Sequence, residues 1–195
     1  MNFLAHLYLS KTFDDAMVGN LMADFVKGNP AGLHNREVCQ GIALHRSIDT
    51  FTDAHPVVRE SKARLSPTYR HYAGVIVDIF YDHFLAVHWG QFNGVPLPEF
   101  ARAVYRLLNE KKPLLTDQMR MVAKYMQEQN WLVGYAQLAG IERVFQGMAR
   151  RTRFVSGMER ATEDLRRDYT YYEKEFFRYF PDLIRYVEEQ KETEN

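Results

Sequence analysis

The sequence predicts an all-α protein built as a single-domain helical bundle. Three observations carry this expectation. Apolar residues recur at helical spacing along most of the 195 residues, alternating strand-like runs are almost absent, and Gly/Pro breaks fall between the periodic stretches. The length suits one sizeable core, and no linker divides it. One domain over 1–195 is therefore expected, with a polar tail at 188–195 that frays.

The first predicted helix runs from about Asp14 to Lys27, capped by Thr12 or a nearby Asp and stopped by Gly28-Asn29-Pro30. It carries Asn20 and Asp24. Before it, Met1 to Leu9 is apolar but too short to span a bilayer, and it lacks a basic n-region and cleavage site. A second helix covers Arg36 to Phe51 and presents His45 and Asp49. Thr52 or Asp53 is the expected cap for the next helix, with Pro56 in its first turn. Ser66-Pro67 is expected to open a long helix through Tyr69 to Trp89. After a Gly/Pro-rich loop at Gln91 to Pro98, helices are expected at Pro98–Lys111, Thr116–Gln129 and Gln137–Arg150. From Glu159 to Tyr179 aromatics mix with charges, and Pro181 is expected to kink or restart that helix.

Twenty-five basic and 25 acidic residues leave no net charge, which argues against a general nucleic-acid binder. The lone Cys39 forms no internal disulfide and fits a reducing compartment, where it reads as a small core residue. No run is long and uncharged enough for a membrane span, so a soluble, cytoplasmic protein is expected. Oligomeric state is left open. Walker and Gly-x-Gly-x-x-Gly loops, Glu-x-x-His pairs and His-Glu-x-x-His are all absent.

The chemistry concentrates in Val75–Trp89. This stretch is apolar on nearly every side, yet it holds Asp78, Asp82 and His83. Four residues of helix turn about 400°, which stacks the two carboxylates on one face. Each buried carboxylate then needs a cation, donors or a proton. His45 and Asp49 repeat the spacing on another helix. Together with His6 and Asp24 they form a mixed imidazole and oxygen set that suits Mn²⁺ or Mg²⁺, and also Fe²⁺ or Zn²⁺. The alternative is an internal salt-bridge network, with Arg46 and Arg70 neutralising Asp49 and Asp78 or Asp82. His88 reads as structural, and His34, His55 and His71, at helix ends or in polar contexts, carry no signal.

Five ordered motifs point further. They are Asn2-Phe3-Leu4-Ala5-His6, Gly19 through Gly28, Gly41-Ile42-Ala43-Leu44-His45-Arg46-Ser47-Ile48-Asp49, Thr52-Asp53-Ala54-His55-Pro56, and Asp78-Ile79-Phe80-Tyr81-Asp82-His83-Phe84-Leu85. Gly147-Met148-Ala149-Arg150-Arg151 and the aromatic C-terminal helix extend the pattern over almost the whole chain. In this order and spacing they resemble the acyl carrier protein phosphodiesterases. The resemblance implies an HD-domain-like bundle and Mn²⁺ dependence. It also implies hydrolysis of 4′-phosphopantetheine from holo acyl carrier protein. The adjacent His-Asp doublet of HD-domain enzymes is absent, and Asp82-His83 has the reverse order.

On that resemblance the expected ligand pool is Asp24, His45, Asp49, Asp78 and Asp82, with His6 as a further member. His83 is the expected general acid or outer partner, and Arg46 the expected phosphate clamp. Arg150 and Arg151, in a basic run with Arg143 and Arg153, are expected to dock the acidic carrier protein. Two alternatives remain: a metal phosphohydrolase acting on a nucleotide or other small phosphodiester, and a non-catalytic helical binding protein.

Overall fold

Two glycines set the closest helix packing in the molecule. A Cβ on Gly19 would lie 2.2 Å from the Val38 carbonyl oxygen, and one on Gly41 would lie 1.9 Å from that of Ala16. Only glycine lets the two backbones approach this far. The helices they join are α2 (Asp15–Met22) and α3 (Arg36–Ala54), and before them comes α1 (Phe3–Ser10). The computed structural model describes residues 2–193.

The chain continues through α4 (Pro56–Tyr69), α5 (Ala73–Val87), α6 (Trp89–Phe92), α7 (Leu97–Glu110), α8 (Asp117–Glu128), α9 (Trp131–Gly134), α10 (Leu138–Ala149), α11 (Ala161–Arg167) and α12 (Tyr169–Thr193). Among the described residues no strand forms, only an isolated bridge between Ala31 and His34. The all-α expectation holds. No described helix is long and apolar enough to cross a membrane.

The core centres on α5, buried from Ile76 to Ala86 except for half-buried Asp78. It packs aromatic side chains against α12: Phe80 meets Tyr172 edge-on at 4.9 Å, and Tyr81 stacks on Tyr179 at 5.3 Å between ring centroids. Aromatic pairs of this geometry add to the area they bury.

Several local expectations differ from the fold. The N-terminal apolar stretch is a helix, α1; the cap of α2 is the expected nearby Asp, Asp14, accepting from the Met17 backbone N–H at 3.1 Å. Ser66-Pro67 opens nothing, because Pro67 lies inside α4. The break instead falls at Arg70, whose φ of 52° ends that helix before a short 3₁₀ turn. Pro181 likewise sits within an unbroken α12, held by buried Phe176, Phe180, Leu183 and Val187. Helix α12 runs to Thr193, and residues 194–195 of the polar tail lie outside the described residues. At α8 the sequence and structure agree: Thr116 caps it, accepting from the Met119 N–H at 3.1 Å.

Candidate metal centre and substrate cleft

The close approach of α2 and α3 places Asn20 beside His45. The Nδ1–H of His45 donates to the Asn20 carbonyl at 2.8 Å, which fixes the tautomer and turns Nε2 toward Asp24 (3.2 Å) and Asp49 (3.1 Å). An imidazole whose far nitrogen is held this way is oriented for ligation. Asp24 comes from the 3₁₀ turn after α2 (Ala23–Phe25), and Asp49 from one turn further along α3.

His6 arrives from α1. Its ring lies almost parallel to that of His45, with centroids 3.9 Å apart, and its Nε2 is 3.3 Å from Asp49 Oδ1. Its backbone is pinned rather than its ring, since the His6 carbonyl accepts from Asn20 Nδ2 at 3.1 Å and Ser10 Oγ at 2.9 Å. Both ring nitrogens are buried; Nδ1 makes no hydrogen bond among the described residues, and Nε2 has only the Asp49 contact. A buried imidazole left so is costly unless something else binds it.

The electrostatics follow from this packing. Burial drives His6 down to about 4, beyond what Asp49 offsets, so it stands neutral. Burial also opposes charge on His45, but the carboxylates of Asp24 and Asp49 outweigh it and raise the ring to about 9. The same contacts lower Asp24, through its hydrogen bond to His45. For Asp49, burial pulls upward but the two histidines hold the carboxyl well below its usual range.

His6, His45 and Asp49 thus bring three donor atoms within 4.8 Å of one another. Two neutralisable imidazoles and a carboxylate, one imidazole lacking any other partner, fit a divalent transition ion.

Asp24, Asp49 and Asp78 open onto a cleft of about 820 Å³. Its apolar walls include Phe3, Met121, Tyr125, Trp131 and Met148, and Arg143 and Arg151 line it from α10 and the turn after it.

The α5 residues do not gather as their spacing predicts. Asp78 reaches the cleft, and burial raises its carboxyl. Asp82 is wholly buried elsewhere: its two oxygens accept from the backbone N–H groups of Leu4 (2.8 Å) and Ala5 (3.0 Å), at the start of α1. Burial still raises it, to about 7, despite those two bonds. His83 also lies outside the cleft lining, with Nδ1 2.7 Å from the Tyr135 carbonyl and Nε2 3.0 Å from Tyr169 Oη. Arg46 turns to loop carbonyls, donating to Gly28 at 2.8 Å and Val26 at 3.4 Å. Of the expected docking pair, Arg151 lines the cleft and Arg150 is exposed outside its lining.

The sequence reading missed Arg143 as a cleft residue. The signal lay in the spacing of four between Arg143, Gly147 and Arg151, the last of which falls in the turn after α10.

The family profile described as acyl carrier protein phosphodiesterase matches residues 1–183. The chain belongs to that family. An acyl carrier protein phosphodiesterase of Photorhabdus laumondii subsp. laumondii is 36% identical over 191 residues, covering 96% of each chain. Others in Klebsiella pneumoniae and Yersinia pestis are 36% and 34% identical over 192 residues, 98% of this chain and 100% of theirs. No solved structure matches. As a member of this phosphodiesterase family, the chain sets its three-donor cluster, through Asp49, at the edge of the 820 Å³ cleft.

Proposed function

We propose that this chain hydrolyses the phosphodiester between 4′-phosphopantetheine and the serine of holo acyl carrier protein. The observation that carries the reading is the His6–His45–Asp49 donor set beside an 820 Å³ cleft, in a chain of this family. Water forms the new bond to phosphorus, the phosphorus–oxygen bond to serine breaks, and phosphopantetheine leaves with the phosphate. His6, His45 and Asp49 would hold Mn²⁺, with Asp24 steering His45. When bound, such an ion lowers the pKa of water toward neutrality and screens phosphoryl charge.

The chain's own residues complete the reaction. A serine alkoxide is a poor leaving group and needs a proton as it departs. Asp78 stands in the cleft with its carboxyl raised by burial, and is the residue placed to supply it. After Arg150 and Arg151, exposed Arg153 lies over Phe154; Phe154 and Val155 are 68% and 98% exposed. Basic side chains around an apolar tip suit an acidic helical protein.

The test is mass spectrometry of holo acyl carrier protein incubated with this protein and Mn²⁺. Conversion to the apo form, abolished by chelator and restored by Mn²⁺, is the expected result. Cleavage of small diesters with the carrier protein left intact would replace the protein substrate by a small one.

A further inference from the structure

Three glycines of this fold exist for packing. Gly19, Gly41 and Gly140 each face a backbone oxygen within 2.2 Å of where a Cβ would stand. Gly147 is different: like Gly74, Gly90 and Gly134 it meets no close atom, and of these helical glycines it and Gly134 line the cleft. It lies inside α10, where glycine weakens the helix relative to alanine. Yet a Cβ there would meet nothing nearer than Arg151 Nη2, at 3.8 Å. The packing of the chain gives no reason for glycine at this position, and the residue lines the cleft.

Its neighbours in the cleft lining are Arg143, one turn before, and Arg151, in the turn that follows α10. Arg143 forms no ion pair among the described residues, and Arg151 is bonded only through Nε, to the Gly147 carbonyl at 3.0 Å. Two guanidinium groups therefore face a cleft into which Asp24, Asp49 and Asp78 also open. A phosphodiester entering beside three carboxylates needs cations to hold it, and guanidinium matches two phosphoryl oxygens at once. Arg46, the other candidate for this task, is committed to loop carbonyls.

We propose that Arg143 and Gly147 of α10, with Arg151 in the turn that follows it, form the substrate-binding wall. The two arginines grip the non-bridging oxygens of the phosphodiester, and Gly147 leaves the lane through which the attached pantetheine arm passes. This rests on the phosphodiesterase reading above and assigns to that site the residues that hold its substrate.

The experiment measures kcat and KM for holo acyl carrier protein and for bis(4-nitrophenyl) phosphate, with Mn²⁺, in variants of the full chain. Arg143→Gln and Arg151→Gln should each raise KM at least tenfold on both substrates, while Arg102→Gln, an exposed arginine outside the cleft, changes neither. Gly147→Leu should keep the wild-type melting temperature or exceed it. It should lower kcat/KM at least tenfold on the carrier protein and less on the small diester. Gly147→Ala, whose Cβ has room, should show the same order in milder form. An arginine effect confined to the carrier protein and erased at about 0.5 M salt would make these residues a docking rim and overturn the proposal. Full activity in Gly147→Leu would remove the lane. If wild type cleaves only the small diester, the carrier-protein reading fails, but the arginine effect on that diester still decides the clamp.

Discussion

Helices α3 and α5 carry the same device, a pair of polar residues four apart, and the fold uses the two in opposite ways. On α3, His45 and Asp49 stay together, because α2 approaches closely enough for Asn20 to orient His45 and α1 adds His6 above it. On α5, Asp78 and Asp82 separate: one reaches the cleft and the other is sealed against the start of α1. Helical spacing decides only which face a residue is on. What that face meets decides its chemistry.

The strongest way to break this comparison is to remove the α3 pair. His45→Gln and Asp49→Asn should each lower turnover by about two orders of magnitude or more and weaken Mn²⁺ binding. Steady-state kinetics with metal titration checks both, and retention of near wild-type rates would strip the α3 cluster of its role.

Asp78→Asn comes next. Loss of a positioned proton donor should slow carrier-protein cleavage by about a hundredfold, with metal affinity unchanged and a smaller effect on an activated aryl diester. A parallel fall in metal affinity would move Asp78 into the ligand set.

Asp82→Asn should behave differently from both. One backbone N–H of α1 would face an amide donor instead of an acceptor, costing about 1–3 kcal/mol of stability. The readout is a lower denaturation midpoint, with Mn²⁺ still bound in the folded fraction.

The last effect is in pH. His45 stands near 9 when free of metal, against an ordinary value of 6.5. Its folded value is raised, so its charged pairing stabilises the metal-free protein fully below about 6.5 and ceases to as pH rises through 9. Ligation needs the neutral ring, so metal binding should release close to one proton at pH 7. Apparent affinity should gain about tenfold per unit from pH 7 to 9. Calorimetry in buffers of differing ionisation enthalpy measures that proton, and a count of zero would mean His45 is neutral before metal arrives.

How much of the molecule is legible in its sequence differs by level. The helices from Arg36 and from Asp117 can be read from periodicity, and the second also from its Thr116 cap, since those signals are local. α1 cannot, because its eight residues are apolar nearly all round and owe their helix to what surrounds them. His45 and Asp49 can be paired from spacing. The role of Asp82 cannot be read this way, because its partners are backbone groups 77 and 78 residues away. Arg46 and Arg143 present the same side chain in a linear reading; only the fold turns one to loop carbonyls and the other to the cleft.

That bond between Asp82 and α1 has a consequence for how the centre assembles. A helix of eight residues is too short to hold itself in water, so α1 becomes ordered only on docking against the rest of the chain. His6 rides on it, and the donor set is incomplete until it docks. Ion binding and ordering of α1 are then one equilibrium, seen from two ends. Added Mn²⁺ should slow amide exchange in α1 more than in α12, and a protease that clips the N-terminal segment should be held off by the metal.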